Sequence, residues 1–136
     1  MEIANDLIAF IQDWIDKSHF DLAMVDKHWS RQKGVLGIFT APHTWLEGHQ
    51  AILDHYRQAL PTKDEYRVVV NHLDAYCEGS VGWVAAQPVF MLANIGRVTT
   101  RFTAVLHREG GEWKFVQYHI SVAVPDEEFY RMAQLG

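Results

Sequence analysis

Apolar residues at Ile3, Leu7, Ile8, Ile11, Trp14 and Ile15 recur at intervals of three and four, the spacing that gathers side chains into one stripe along a helix. The chain therefore opens with an amphipathic helix. A second helical stretch is predicted over residues 19–29, with Phe20, Met24 and Trp29 turned inward and Asp21, Asp26 and Lys27 toward solvent. Residues 35–40 are apolar and β-rich between Gly34 and Pro42, which reads as a short strand. Pro42 then opens a third helix or helical turn. Its inner face carries Trp45, Ile52, Leu53, Tyr56 and Leu60, and Pro61 ends it because proline cannot continue a helix.

Beyond Pro61 the period changes. Residues 66–76, 81–92, 98–107 and 113–124 are rich in Val, Thr, Tyr, Phe and Trp and are separated by Gly-containing turns, so they predict four long strands in an antiparallel meander. Gly110 and Gly111 accept the positive φ angles of a two-residue hairpin loop. That loop fixes the pairing: Leu106 faces Phe115, Ala104 faces Gln117 and Phe102 faces His119. A short last helix follows Pro125, with Phe129, Tyr130 and Met132 available to pack. Helices first and strands afterwards specify an α+β domain, and no linker or repeat divides residues 1–136.

Composition narrows the function. With 12 Lys and Arg against 17 Asp and Glu, the net charge of −5 repels a phosphate backbone, so nucleic acid is not an expected partner. Cys77 is the only cysteine, which excludes an internal disulfide. The N-terminal segment carries Glu2 and Asp6 where a signal peptide carries basic residues, and no apolar run approaches membrane-spanning length; the chain reads as cytoplasmic, with no membrane partner. Nothing in it calls for a cofactor.

The predicted hairpin places Phe102, Ala104, Leu106, Trp113, Phe115, Gln117, His119 and Ser121 on one side. That side is apolar with three polar groups close together at its far end, as a pocket lining is. His119 is then either a general acid or base or a hydrogen-bonded anchor of the last strand. Trp45, Trp83 and Trp113 offer flat apolar surface to a ring or acyl ligand, or else are large core residues. The opposite side, with Arg101, Val105, Val116 and Tyr118, suits a half-wet interface between subunits. His43 and Glu47 lie four apart, but no third ligand stands at matching spacing, so no metal is expected. His72 and Asp74 alternate on a strand, as an Asp-oriented acid–base pair or as an outer polar patch.

The closing stretch, in which Arg101-Phe102-Thr103 precedes HREGGEWKFVQYHIS, resembles the end of SnoaL-like proteins of the nuclear transport factor 2-like superfamily. It is also similar to the association domain of calcium/calmodulin-dependent kinase II. The segment GIFTAPHTWLEGHQAI, with Gly37, Pro42, Trp45, Gly48 and Ile52, and VGWVAA around Trp83 resemble the same family. The resemblance implies a curved antiparallel sheet wrapped around N-terminal helices, a cone with an internal pocket (the cystatin-like, nuclear transport factor 2-like fold), and often a homodimer through the sheet's outer face. It does not choose a reaction, since isomerases, cyclases, dehydratases, hydrolases and assembly domains share the fold. The pocket Asp and Tyr set of the steroid isomerase branch has no match in this sequence. The expectation is a single SnoaL-like domain holding a small, mostly apolar molecule against Trp45, Trp83, Trp113, Gln117 and His119. Metal-free isomerase, cyclase or hydratase-type chemistry would use His119; the alternative is a non-catalytic dimerisation or assembly domain.

Overall fold

The computed structural model describes residues 1–18, 21–59 and 66–135. The first predicted stripe forms α1 (Asn5–Lys17), which buries Leu7, Ile11, Trp14 and Ile15. Ile3 is not part of that stripe: it lies in β1 (Glu2–Ile3) and stays exposed. α2 (Leu22–His28) starts where Asp21 caps it, the carboxylate accepting the Met24 N–H at 3.1 Å, so Asp21 satisfies a helix terminus and not solvent alone. The predicted residues His19 and Phe20 lie outside the described residues.

The stretch after Pro42 does not form the predicted helix. Thr44 closes a turn onto the Ala41 carbonyl, and the chain returns as β3 (Trp45–Glu47), antiparallel to β2 (Leu36–Ile38). Gly48, at φ 93°, then redirects the backbone in a conformation that side chains resist, and α3 (His49–Ala59) begins one residue later. The predicted end of that helix, Leu60 and Pro61, lies outside the described residues.

β4 (Tyr66–Glu78), β5 (Val81–Leu92), β6 (Gly96–Glu109) and β7 (Glu112–Val122) make the predicted antiparallel meander. β2 joins β7 in parallel, so the curved, unclosed sheet is mixed, in the order β1-β4-β5-β6-β7-β2-β3. α1 packs across β4 and β5, and α2 across β7. Between helices and sheet lie Trp14, Trp29, Phe102 and Phe115, all essentially inaccessible. α4 (Asp126–Leu135) carries no buried side chain; Phe129, Tyr130 and Met132, expected to pack, are exposed. No helix of the described residues is long and apolar enough to cross a membrane.

Gly82 shows how closely α1 approaches the sheet. A Cβ there would stand 2.7 Å from Leu7 Cδ2 and 3.1 Å from the Trp113 ring. Both neighbours are buried, so neither yields without moving the core. Gly82→Ala is expected to lower unfolding stability by roughly 1–3 kcal/mol, read from the urea midpoint; an unchanged midpoint would show that α1 sits looser on β5 than described.

Candidate functional site

The interior of the cone is decided in β7. Near the turn the predicted register holds, with Leu106 opposite Phe115; one step further Val105 stands opposite Gln117. Val116 is thus an inserted residue, a β-bulge, and a bulge reverses which side chains face the core for the remainder of the strand. Ala104 consequently faces Tyr118, and Phe102 faces Ile120. Tyr118 and Ile120 are buried, whereas Gln117 and His119 are exposed on the outer face. The predicted pairs Ala104–Gln117 and Phe102–His119 are corrected accordingly: Gln117 pairs with Val105 and His119 with Thr103.

The three predicted tryptophans are also elsewhere. Trp45, in β3 and not on a helix, is 62% exposed. Trp83 is half-buried on the sheet's outer face, in register between Tyr76 and Val105. Trp113 is buried, but under the start of α1: its indole N–H donates to Asp6 Oδ2 at 3.1 Å, and the Arg108 guanidinium lies 4.2 Å above its ring. Arg108 also donates to Asp6, and that bond foremost holds the Asp6 carboxyl below its usual range. Trp45, Trp83, Trp113, Gln117 and His119 are not among the residues that line the cavity between α3 and β7; Trp83 and Gln117 are neighbours of Val105 on the outer face.

Among the described residues a cavity of about 380 Å³ lies between α3 and β7, walled by Phe39, His55, Tyr56, Phe90, Tyr118 and Ile120. Its lining includes the exposed Ala41, in the turn before β3, and the exposed Val122, at the end of β7. Tyr118 is the hub of its aromatic wall, with ring centroids 4.6 Å from Phe102 and 5.3 Å from Phe39 and Phe115. Burial pushes the Tyr118 hydroxyl above its ordinary pKa, against a smaller opposite pull from Tyr56 and the Trp14 indole. It is therefore a neutral O–H group at physiological pH. His55, on α3, stacks on Phe39 at 4.6 Å; burial lowers its pKa, which favours the neutral imidazole, a proton acceptor. The Thr100 hydroxyl also reaches this region but donates to the Pro88 carbonyl at 2.8 Å.

Other polar clusters hold the fold together. His49 ties α3 to α2: Nδ1 lies 3.0 Å from the Trp29 carbonyl oxygen and Nε2 2.9 Å from Asp26 Oδ1. That contact, with Arg31 behind it, lowers the Asp26 pKa; Asp26 is thus engaged and not merely solvated. Ser30 donates to Glu109 Oε2 at 2.8 Å, and His107 Nδ1 is 3.3 Å from the same oxygen. The carboxylate stands between serine and histidine, so His107 cannot take the Ser30 proton as a nucleophile's base must. His43 lies in the turn before β3 and Glu47 within β3, so the helical face proposed for them does not exist. His72 occupies a bulge at φ 51° and is exposed, as is Asp74.

Sequence reasoning missed His55, Tyr56 and Tyr118 as a group, although the signal for the last is present. In WKFVQYHISV the polar positions are 114, then 117, 119 and 121; the alternation changes phase across Phe115 and Val116, as it must when a bulge intervenes. An NMR pH titration of His55 is expected to give a midpoint below the ordinary value of about 6.5. The sign follows from linkage: the folded pKa lies below the unfolded one, so this residue subtracts stability as pH falls through the unfolded value. A midpoint at or above 6.5 would contradict the half-buried position of the ring.

Three solved structures share this architecture. One is provisionally assigned as a ketosteroid isomerase from Parabacteroides distasonis (TM-score 0.73, 16% identity, 88% of this chain and 86% of that one). Another is provisionally a dehydratase of the nuclear transport factor 2-like family from Streptomyces avermitilis (0.74, 13%, 87% and 94%). The third is provisionally a calcium/calmodulin-dependent protein kinase II association domain from Xanthomonas campestris (0.71, 14%, 90% and 95%). At these identities the likeness is one of fold: the α+β, nuclear transport factor 2-like cone. No curated protein sequence matches the chain. The model of the SnoaL-like domain matches residues 7–125, most of the chain, and the chain belongs to the SnoaL-like domain family.

Proposed function

We propose that the protein binds a small, mostly apolar molecule in the cavity between α3 and β7, and that His55 and Tyr118 are its chemical groups. The observation that carries this reading is the cavity itself, about 380 Å³ of largely apolar space whose lining includes the exposed Ala41 and Val122, with a neutral imidazole on one wall and a neutral phenol on another. Ligand pockets have this size and this mixture of apolar wall with a few placed polar groups. Metal-free proton transfer suits the pair. A neutral His55 accepts a proton from the ligand, and the Tyr118 O–H stabilises charge that develops on a ligand oxygen; the proton then returns to another atom of the ligand. The roles assigned to His119 and Gln117 pass to His55 and Tyr118. Fold relatives provisionally described as an isomerase and a dehydratase agree with this class without selecting within it.

The uncharged dye N-phenyl-1-naphthylamine tests the cavity. Its fluorescence should rise on binding, and Val122→Trp, which fills part of the cavity from a half-exposed position, should weaken binding at least about tenfold, the loss expected when apolar area can no longer be buried, with unchanged circular dichroism. Equal binding by the variant would move the site elsewhere.

A second reading, which is compatible with the first, concerns assembly. Tyr76, Trp83 and Val105 stand in one row across the outer face of the sheet; Tyr76 is 39% and Val105 37% exposed. We infer a homodimer through this face, as proposed from sequence, but without Tyr118, which points inward. Similarity to a fold relative provisionally described as an association domain supports it. Light scattering should give a dimer for the wild type and a monomer for Val105→Glu, since a buried unpaired charge opposes association. A wild-type monomer would overturn this reading and leave the cavity untouched.

A further inference from the structure

At the seam between α2 and α3, both ring nitrogens of His49 face oxygen atoms: Nδ1 the Trp29 carbonyl at 3.0 Å and Nε2 the Asp26 Oδ1 atom at 2.9 Å. A carbonyl oxygen and a carboxylate oxygen only accept, and a neutral imidazole carries one N–H. Either neutral tautomer therefore sets a bare nitrogen lone pair against an oxygen lone pair at hydrogen-bond distance. Asp26 does not relieve this by keeping a proton. The same Oδ1 accepts from the Arg31 guanidinium at 2.7 Å, and the His49 contact foremost, with Arg31 behind it, holds the Asp26 carboxyl below its usual range. The His49 side chain is only 11% exposed, so solvent offers a bare nitrogen little relief.

We propose that His49 carries hydrogen on both nitrogens and, as an imidazolium clasped between α2 and α3, positions the helix that walls the cavity. The Trp29 carbonyl lies at the C-terminus of α2, where the helix dipole is negative and the last carbonyls lack helical partners. As the first residue of α3, the ring also meets that helix's positive end, which the Asp26 carboxylate offsets. Other titratable groups nearby turn elsewhere. Lys27 pairs with Glu112, and His28 Nδ1 faces the Trp113 carbonyl; Asp54 accepts from Gln50 and Arg57; Glu47 on β3 is exposed and forms no ion pair among the described residues. Because the clasp favours the charged ring, its contribution is present at low pH and is lost as pH rises through the ring's titration in the folded protein. α3 also carries His55, which burial favours in the neutral form. The two histidines thus bound, from opposite sides, the pH range in which the cavity has its proposed form. That consequence rests on the cavity reading above, and the clasp itself does not.

Protein labelled with 15N in its histidines reads the hydrogen on each ring nitrogen by NMR, with His49→Gln to assign the signals. At about pH 7 both His49 nitrogens should carry hydrogen; a bare nitrogen would overturn the proposal. Asp26→Asn separates charge from mere contact, because its amide N–H can donate to a bare Nε2 while Nδ1–H stays on the Trp29 carbonyl. In that variant the ring should be neutral at the same pH, and a ring still doubly protonated would also overturn the proposal. From about pH 6 to about pH 9 the wild-type unfolding constant, from urea titration, should rise roughly tenfold more than that of the variant, the scale of one charge-assisted hydrogen bond. N-phenyl-1-naphthylamine affinity should fall about threefold more over the same range, a coupling of ordinary size between packed elements. Equal pH dependences of stability would overturn the clasp, and equal pH dependences of dye binding would overturn the positioning of the cavity wall. Dye that binds neither protein at any pH would instead overturn the cavity reading, with the clasp still decided by the ring nitrogens.

Discussion

Opposite Val105 and Leu106, β7 supplies three residues where two would pair, and the surplus Val116 reverses the facing of every side chain after it. Strand faces alternate strictly, so without this bulge Gln117 and His119 would enter the cone and Tyr118 and Ile120 would leave it. With it, the core keeps an unbroken apolar lining from Trp113 and Phe115 to Ile120. The outer face collects the polar residues. A bulge also increases local twist, which suits a strand that must carry α2 on one half and wall a cavity with the other.

The rest of the interior is organised around the residue this bulge turns inward. Tyr118 touches Trp29, Phe39, Phe102 and Phe115, so one phenol joins the packed core beneath α1 and α2 to the open space beneath α3. Aromatic rings at such separations add to stability beyond their buried area. The cavity lies at this junction, with Phe39 and Tyr118 in its wall. The indoles of Trp14 and Trp29 are buried in the same cluster, with ring centroids 4.7 and 5.4 Å from Phe115.

Much of the fold was legible because its signals are periodic. The stripe from Leu7 to Ile15 and the four long strands needed only the helical and strand periods, and Gly110–Gly111 fixed the first pairs of the last hairpin. The segment around Trp45 was misread because Pro42 opens turns as readily as helices, and what distinguishes them is a hydrogen bond from Thr44 to Ala41 and the left-handed Gly48. The site was hidden for a different reason: its orientation hangs on a single inserted residue. A hairpin extended without interruption turns His119 inward and Tyr118 outward, and the helical period of α3 does not single out His55. Its setting is tertiary: the stack on Phe39 and the wall across from β7 join residues far apart in the chain.

The central claim is therefore the bulge at Val116 and the inward turn of Tyr118, and aromatic NOE spectroscopy in solution tests it most directly. The account predicts cross-peaks from the Tyr118 ring to the rings of Phe39 and Phe102, whose centroids lie 5.3 and 4.6 Å away, and none between His119 and Phe102. Cross-peaks from His119 to Phe102, with Tyr118 silent, would establish the uninterrupted register and contradict it.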